Sequence, residues 1–382
     1  MEYVIKNRYK KYLMNLVDLL GKTIVTRSKN YVGTEAKKIL VIRLDHIGDV
    51  LMTTPFIKSL KKNFPNASTT VVIKEQTFDI VRHNPYIDKI KVYNAWWTIG
   101  KNERVMKNGI VDFTNFVMEL KREEYDLGFD LRGDFRNIMM MYLAGAKRRI
   151  GYANKGGGFM LTDSFDYGRD EHEIDKNIGL LRVINMRDTY QEPEIFVSEE
   201  DEKRAEDILG RMAIREGKIT IGVHAGGASF YKRWPPEKFI ELIKLLKKDR
   251  DTQILMFGAQ NERDIVEKIM ENVEGNGIYV MPELTLCQMA AVFRKCRLLI
   301  CNDSGPMHVG IATRTPVVAI FGPSYPSRFG PKDLEMNRVV KPPIGCSPCW
   351  HPDNNIGCKD RKCLKSITAE QVFKAVKELV RS

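Results

Sequence analysis

Residues 37–60 read KKILVIRLDHIGDVLMTTPFIKSL, and the order of these residues decides the fold. Ile39–Ile42 form a short, branched apolar run, the pattern of a strand buried on both faces. The run breaks at Arg43–Asp49, and apolar residues resume at helical spacing through Val50, Leu51, Ile57 and Leu60, which predicts a helix from about 50 to 63. Strand followed directly by helix is the opening of a βαβ unit. An acidic residue, Asp49, stands right after a glycine at the corner between them and calls for a role.

Working outward, the same alternation continues. TTVVIK, KIKVYN and LGFDL read as strands; residues 77–83 and 108–123 read as helices, and the apolar NIMMMYLAG follows. MRDTYQEPEIFVS, 186–198, lacks helical periodicity, carries a proline and reads as a linker. A second series then opens, with strands KITIGVHA, TQILMFGA, GIYVMP, RLLICND and PVVAIFGP set between helices at 199–212, 236–249, 261–273 and 285–295. Such alternation implies parallel sheets covered by helices, and 382 residues exceed one core, so two domains are expected. Two doubly wound domains would place ligands at the carboxyl ends of their strands, across a shared cleft.

The balance of 61 Lys and Arg against 49 Asp and Glu gives +12, which suits phosphorylated ligands, nucleic acid or an anionic membrane surface. No apolar run approaches the roughly 20 residues that span a bilayer, and no signal peptide opens the chain, so a cytoplasmic location is expected. The basic, amphipathic extension 1–37 has two readings: a helix lying on acidic lipid at the inner membrane face, or one packed on its own protein.

Three loops after strands carry the chemistry. In ICNDSGPMH, Asp303, Ser304 and Gly305 precede Pro306 at a helix start, where free amides and the dipole favour an anion; Asp303 and Ser304 also read as ordinary N-caps, but His308 one turn in adds a polar group that a plain cap does not require. In HAGGASFYKRWP, Gly226 and Gly227 let backbone approach a ligand, and Lys232 with Arg233 suits a diphosphate. In RLDHIGD, Asp49 is either a helix cap or a base aimed at a ligand, with Asp45 as its rival. Neither half carries G-x-G-x-x-G after its first strand, and no G-x-x-x-x-G-K-[ST] occurs, so dinucleotide oxidoreduction and P-loop phosphoryl transfer lose their usual support.

Together IRLDHIGDVLMTTPFIKSLKKNFPNA, HAGGASFYKRWPPEKF, NDSGPMHVGIATRTPVVAIFGPS and the terminal CSPCW with two later cysteines resemble glycosyltransferase family 9, the ADP-heptose lipopolysaccharide heptosyltransferases. The resemblance implies a GT-B fold: an acceptor-binding Rossmann-like domain over 38–190, a nucleotide-sugar-binding one over 191–345, and a segment, 346–382, whose last helix crosses back to the first. It implies an inverting, metal-independent transfer from a donor such as ADP-heptose to a lipid-linked glycan acceptor. Asp49 matches the catalytic aspartate, Lys232 the lysine on the donor phosphates, and Asp303, Ser304, Gly305 and His308 the donor-site helix start. Gln260 falls where heptosyltransferases carry a glutamate beside the donor, and Leu284 in the segment lining the base pocket. A sugar-nucleotide epimerase of the same fold is the alternative enzyme, and a basic nucleic-acid-binding protein the alternative class; the latter leaves the GD and NDSGPMH motifs unexplained.

Cys346, Cys349, Cys358 and Cys363 form C-x2-C-x8-C-x4-C, a spacing that in a reducing compartment favours structural zinc over disulfides, with His351 as a competing ligand. Cys287, Cys296 and Cys301 stand in apolar surroundings and read as core.

Overall fold

Lys38–Ile42 is a strand, β1, with its last four residues fully buried. It belongs to the first of two compact units, Met1–Glu192 and Pro193–Ser382. The protein is seen as a computed structural model, which describes residues 16–21, 36–95, 109–168, 170–186, 191–212, 214–215, 217–249, 251–349, 358 and 360–381.

In the first unit β1 is joined by β2 (Ser68–Ile73), β3 (Lys89–Val92), β4 (Leu127–Asp130), β5 (Arg148–Tyr152) and β6 (Asp163–Phe165), ordered β3-β2-β1-β4-β5-β6 and parallel throughout. The expected helix at 50–63 is two helices, Ile47–Leu51 and Thr54–Asn63. The break has a local cause: Pro55 has no N–H to continue the first helix but fits the first turn of the second. Thr53 Oγ1 donates to Asp49 O at 2.8 Å and Thr54 Oγ1 to Leu51 O at 2.8 Å, using up carbonyls at the corner. The NIMMMYLAG run lies mainly in helix Phe135–Leu143, started by Asp134, which accepts from Arg136 N.

The second unit repeats the plan. β7 (Ile219–His224), β8 (Thr252–Phe257), β9 (Ile278–Val280), β10 (Leu298–Asn302), β11 (Val317–Ile320) and β12 (Arg338–Val340) are ordered β12-β11-β10-β7-β8-β9, again all parallel. Each sheet thus reverses direction of growth once, between β1 and β4 and between β7 and β10, the switch points at which open α/β sheets hold ligands. Helix Ala369–Arg381, which the resemblance sends back to the first domain, contributes Val372, Val376 and Leu379 to the core of the second unit and packs along helix Pro236–Leu246. Cys287, Cys296 and Cys301 are buried, and burial pushes the Cys296 thiol up to about 12.

Most of the extension 1–37 lies outside the described residues. Its described turn, 16–21, sits on its own unit: Asp18 Oδ1 accepts from Gly157 N at 2.9 Å, and a Cβ on Gly21 would overlap the Phe159 ring. Leu16, Leu19 and Leu20 of that turn face outward. No helix among the described residues is long and apolar enough to cross a membrane.

Candidate active site

At the first switch point the loops after β1 and β4 exchange ion pairs. Arg43 is buried and donates to Leu131 O, while Arg132 Nη1 donates to Leu44 O at 2.6 Å. Between them lie two carboxylates with opposite fates. Asp45 is held by Arg132 at 3.0 Å and Arg43 at 3.7 Å; burial alone would raise its carboxyl, but the two cations hold it below the usual range. Asp49 keeps only a longer contact, 3.5 Å from Arg43 Nη2, and a 3.3 Å bond from His46 N. Burial first, then the charge of Asp45, push the Asp49 carboxyl up to about 7. The capping reading of Asp49 is seen in its bond from His46 N, and the same carboxyl holds its proton more tightly than an ordinary aspartate.

Behind this pair stands Asp130, fully buried, which accepts from Gly133 N at 2.8 Å and Asn137 Nδ2 at 3.2 Å and so shapes the loop that presents Arg132. Burial, then Asp134, push its carboxyl up to about 7. Arg43, Asp130 and Arg132 escaped the motif reading, although DLRGD after a strand carries the same signal as RLDHIGD.

At the second switch point one asparagine ties the loops together. Asn302 is fully buried; its Nδ2 donates to Ala225 O and Gly226 O, both at 2.9 Å, and its Oδ1 accepts from Trp234 N at 2.9 Å. Next to it, Asp303 accepts from Ser324 Oγ and pairs with Lys232 Nζ at 2.7 Å. Burial would raise Asp303, but Lys232 overcomes it and holds the carboxyl below its ordinary range. Ser304 starts helix Gly305–Ala312 without a side-chain cap, its Oγ donating instead to Asn302 O at 3.2 Å, so the plain capping reading fails for that hydroxyl. His308 is buried within this helix and acts electrostatically on Asp303.

The glycine pair is held from the other side. Glu262 Oε1 accepts from Gly227 N at 2.5 Å, its Oε2 from Ala259 N at 3.0 Å, and His224 Nε2 stands 3.3 Å away. Burial opposes the charge, yet His224 and the two amides bring this carboxyl down to about 2. A Cβ at Gly226 would overlap the Glu262 carboxylate, and Gly227 sits at φ +146°, so both positions need glycine. Gln260, expected beside the donor, is exposed; the acid of that turn is Glu262, two residues on. Leu284 is half-buried just before helix Leu286–Arg294. Asn302 and Glu262 were missed because their partners are remote in sequence. Among the described residues the structure thus joins Lys232, Asp303, Ser304, Gly226 and Gly227 in one network, of which Gln260 and Leu284 are not part.

The sequence profile of glycosyltransferase family 9 (heptosyltransferase) matches residues 113–359, well over half of the chain. The chain belongs to glycosyltransferase family 9. As a member of that family it is a glycosyltransferase, and its two sheets are the paired Rossmann-like domains of the GT-B fold. Lipopolysaccharide heptosyltransferase 1 of Campylobacter coli is 24% identical over 360 residues, covering 90% of this chain and 98% of that one. Among solved structures, the family 9 glycosyltransferase of Veillonella parvula superposes with TM-score 0.79 at 28% identity, covering 91% of this chain and 98% of that one. The ADP-heptose lps heptosyltransferase II of E. coli gives TM-score 0.72 at 21% identity, with coverage of 90% and 99%. Asp49 of this family 9 glycosyltransferase lies before the matched stretch, whereas Lys232 and the Asp303 helix start lie within it.

Proposed function

We propose that this glycosyltransferase moves a heptose from ADP-heptose to a lipid-linked core glycan at the inner membrane face, inverting the anomeric carbon. The reading rests on one observation above all: of two aspartates four residues apart, Asp45 is locked between arginines while Asp49 titrates near neutrality. A base with that affinity can take a proton at physiological pH and be regenerated afterwards. The acceptor oxygen attacks the anomeric carbon and loses its proton to Asp49, while the bond from that carbon to the diphosphate breaks and its electron pair leaves with ADP. Lys232 shifts part of its interaction from Asp303 to the growing phosphate charge, and the N-terminal end of the dipole of helix Gly305–Ala312 shares the load. No divalent ion is required in this scheme. The choice of ADP-heptose leans on the lipopolysaccharide heptosyltransferase 1 of Campylobacter coli and the ADP-heptose lps heptosyltransferase II of E. coli.

The test is to offer ADP-heptose and competing nucleotide sugars to a lipid A–core acceptor in EDTA and to weigh the products by mass spectrometry. One heptose added from ADP-heptose, with turnover unchanged by the chelator, is the expected result. Transfer of another sugar in preference would overturn the donor, and prompt loss of turnover restored by magnesium would overturn the metal-free scheme.

A further inference from the structure

Read from sequence as zinc ligands, Cys346, Cys349, Cys358 and Cys363 bring no three metal-ligating groups together among the described residues. The segment that carries the last of them makes a different contact, with the loop that presents Lys232. Phe230–Lys232 is a single 3-10 turn, entered from Ser229 and left through Arg233, and Lys232 reaches from it to Asp303 at 2.7 Å. Arg361, two residues before Cys363, takes hold of that turn at both ends: its Nη1 donates to Phe230 O at 3.3 Å and to Arg233 O at 3.0 Å. The guanidinium carbon lies 3.8 Å from the centre of the Phe230 ring. A ring that is 54% exposed thus has a fixed cation over one face.

Arg361 makes these contacts from a left-handed backbone, φ +47°. A long L side chain seldom takes that conformation, which persists where its surroundings over-determine it. Here the Arg361 carbonyl accepts from Lys365 N at 3.1 Å and opens helix Lys362–Lys365, while the side chain turns back onto the donor loop. Two further bonds extend the hold. Arg233 Nε donates to Gly227 O at 2.6 Å, and Trp234 Nε1 donates to Ile367 O at 3.1 Å. The glycine turn, the lysine turn and residues 361–367 therefore form one hydrogen-bonded frame around Lys232. Arginine suits this post because one nitrogen offers two hydrogens in the plane while the flat face stacks on a ring; a lysine ammonium has no such face. We propose that Arg361 is a positioning residue for the donor: it fixes the Phe230–Lys232 turn so that Lys232 is aimed at the diphosphate, without itself touching the nucleotide. The proposal rests on the phosphate role given to Lys232 above.

ADP and adenosine are titrated by calorimetry into the full-length protein and its variants. Arg361→Gly removes the guanidinium yet suits the left-handed backbone, so the fold should stand, as the melting temperature without ligand will show. Arg361→Lys keeps the charge and loses the planar fork. Each should bind ADP about tenfold more weakly, a coupling common between residues of one hydrogen-bond network, while adenosine binding stays unchanged. In a Lys232→Ala background, Arg361→Gly should add less than about a twofold further loss, since the side chain it aims is gone. A loss just as large without Lys232, or one shared equally by adenosine, overturns the aiming role and leaves Arg361 a general support of the loop. Wild-type ADP affinity in both Arg361 variants overturns it as well. Wild-type ADP affinity in Lys232→Ala is a separate result: it overturns the phosphate reading itself and takes the proposal with it.

Discussion

Asp45 and Asp49 stand four residues apart after β1, the first in the loop and the second in helix Ile47–Leu51, and differ in how closely cations reach them. Nothing within residues 43–49 distinguishes them, because the cation that decides, Arg132, arrives from the next strand, 88 residues away by its bond to Leu44. Asp49→Asn should retain fold and ADP binding but lower turnover by roughly 10²-fold or more, since an amide cannot accept the acceptor proton. Turnover near that of the wild type would move the base to Asp45. In the wild type, kcat/KM should fall about tenfold per pH unit below about 7, where Asp49 becomes protonated. Stability must move the opposite way. A folded-state affinity raised from about 4 to about 7 means the folded protein binds the extra proton between those values, so this group weakens the fold progressively as pH rises through that window. Asp49→Asn should therefore gain in melting temperature over the wild type between pH 4 and 7, with a constant gain above; a gain that is the same at every pH would contradict the assigned proton.

The elements themselves were largely legible. Branched apolar runs such as Ile39–Ile42 and Leu298–Cys301 announce buried parallel strands, and the helices between them follow from 3.6-residue spacing. What escaped was short or locally ambiguous. Asp163–Phe165 and Arg338–Val340 are three-residue edge strands with no room for a pattern, and Arg148–Tyr152 opens on two arginines. The loops at the second switch point show the same division: their glycines and Lys232 are visible as motifs, while the bonds that shape them are long-range. Glu262 is the clearest instance, a single carboxylate carrying the amides of Gly227 and Ala259. Glu262→Ala should destabilise the second unit by roughly 1–3 kcal/mol, because buried amides lose their acceptor. Its carboxyl is depressed, so its contribution is complete above about pH 4.3 and fades as pH falls toward about 2. A denaturation midpoint for Glu262→Ala equal to that of the wild type at pH 7 would show that the loop holds without it.

At the scale of the whole chain, one strand order is built twice from sequences without a visible repeat, since the order depends only on alternating strands and helices and on right-handed crossovers. The division of labour proposed for the two sheets then has a physical test. The hydrophobic core that runs from Ile219 to Val380 is built within the second unit, as are the Lys232–Asp303 ion pair and the Ser324–Asp303 bond. Residues 193–382 produced alone should fold cooperatively and bind ADP, with a melting temperature that rises as ADP is added, because a ligand that prefers the native state stabilises it by about 2.7 kcal/mol at a hundredfold excess over Kd. Lys232→Ala should abolish most of that rise by leaving phosphate charge unpaired, while Asp49 is absent from the fragment and cannot contribute. Calorimetry of the fragment with ADP and with adenosine separates the phosphate contribution from that of the base. An undiminished ADP shift in Lys232→Ala would move the phosphate site elsewhere, and an equal shift from adenosine would remove the diphosphate from the argument.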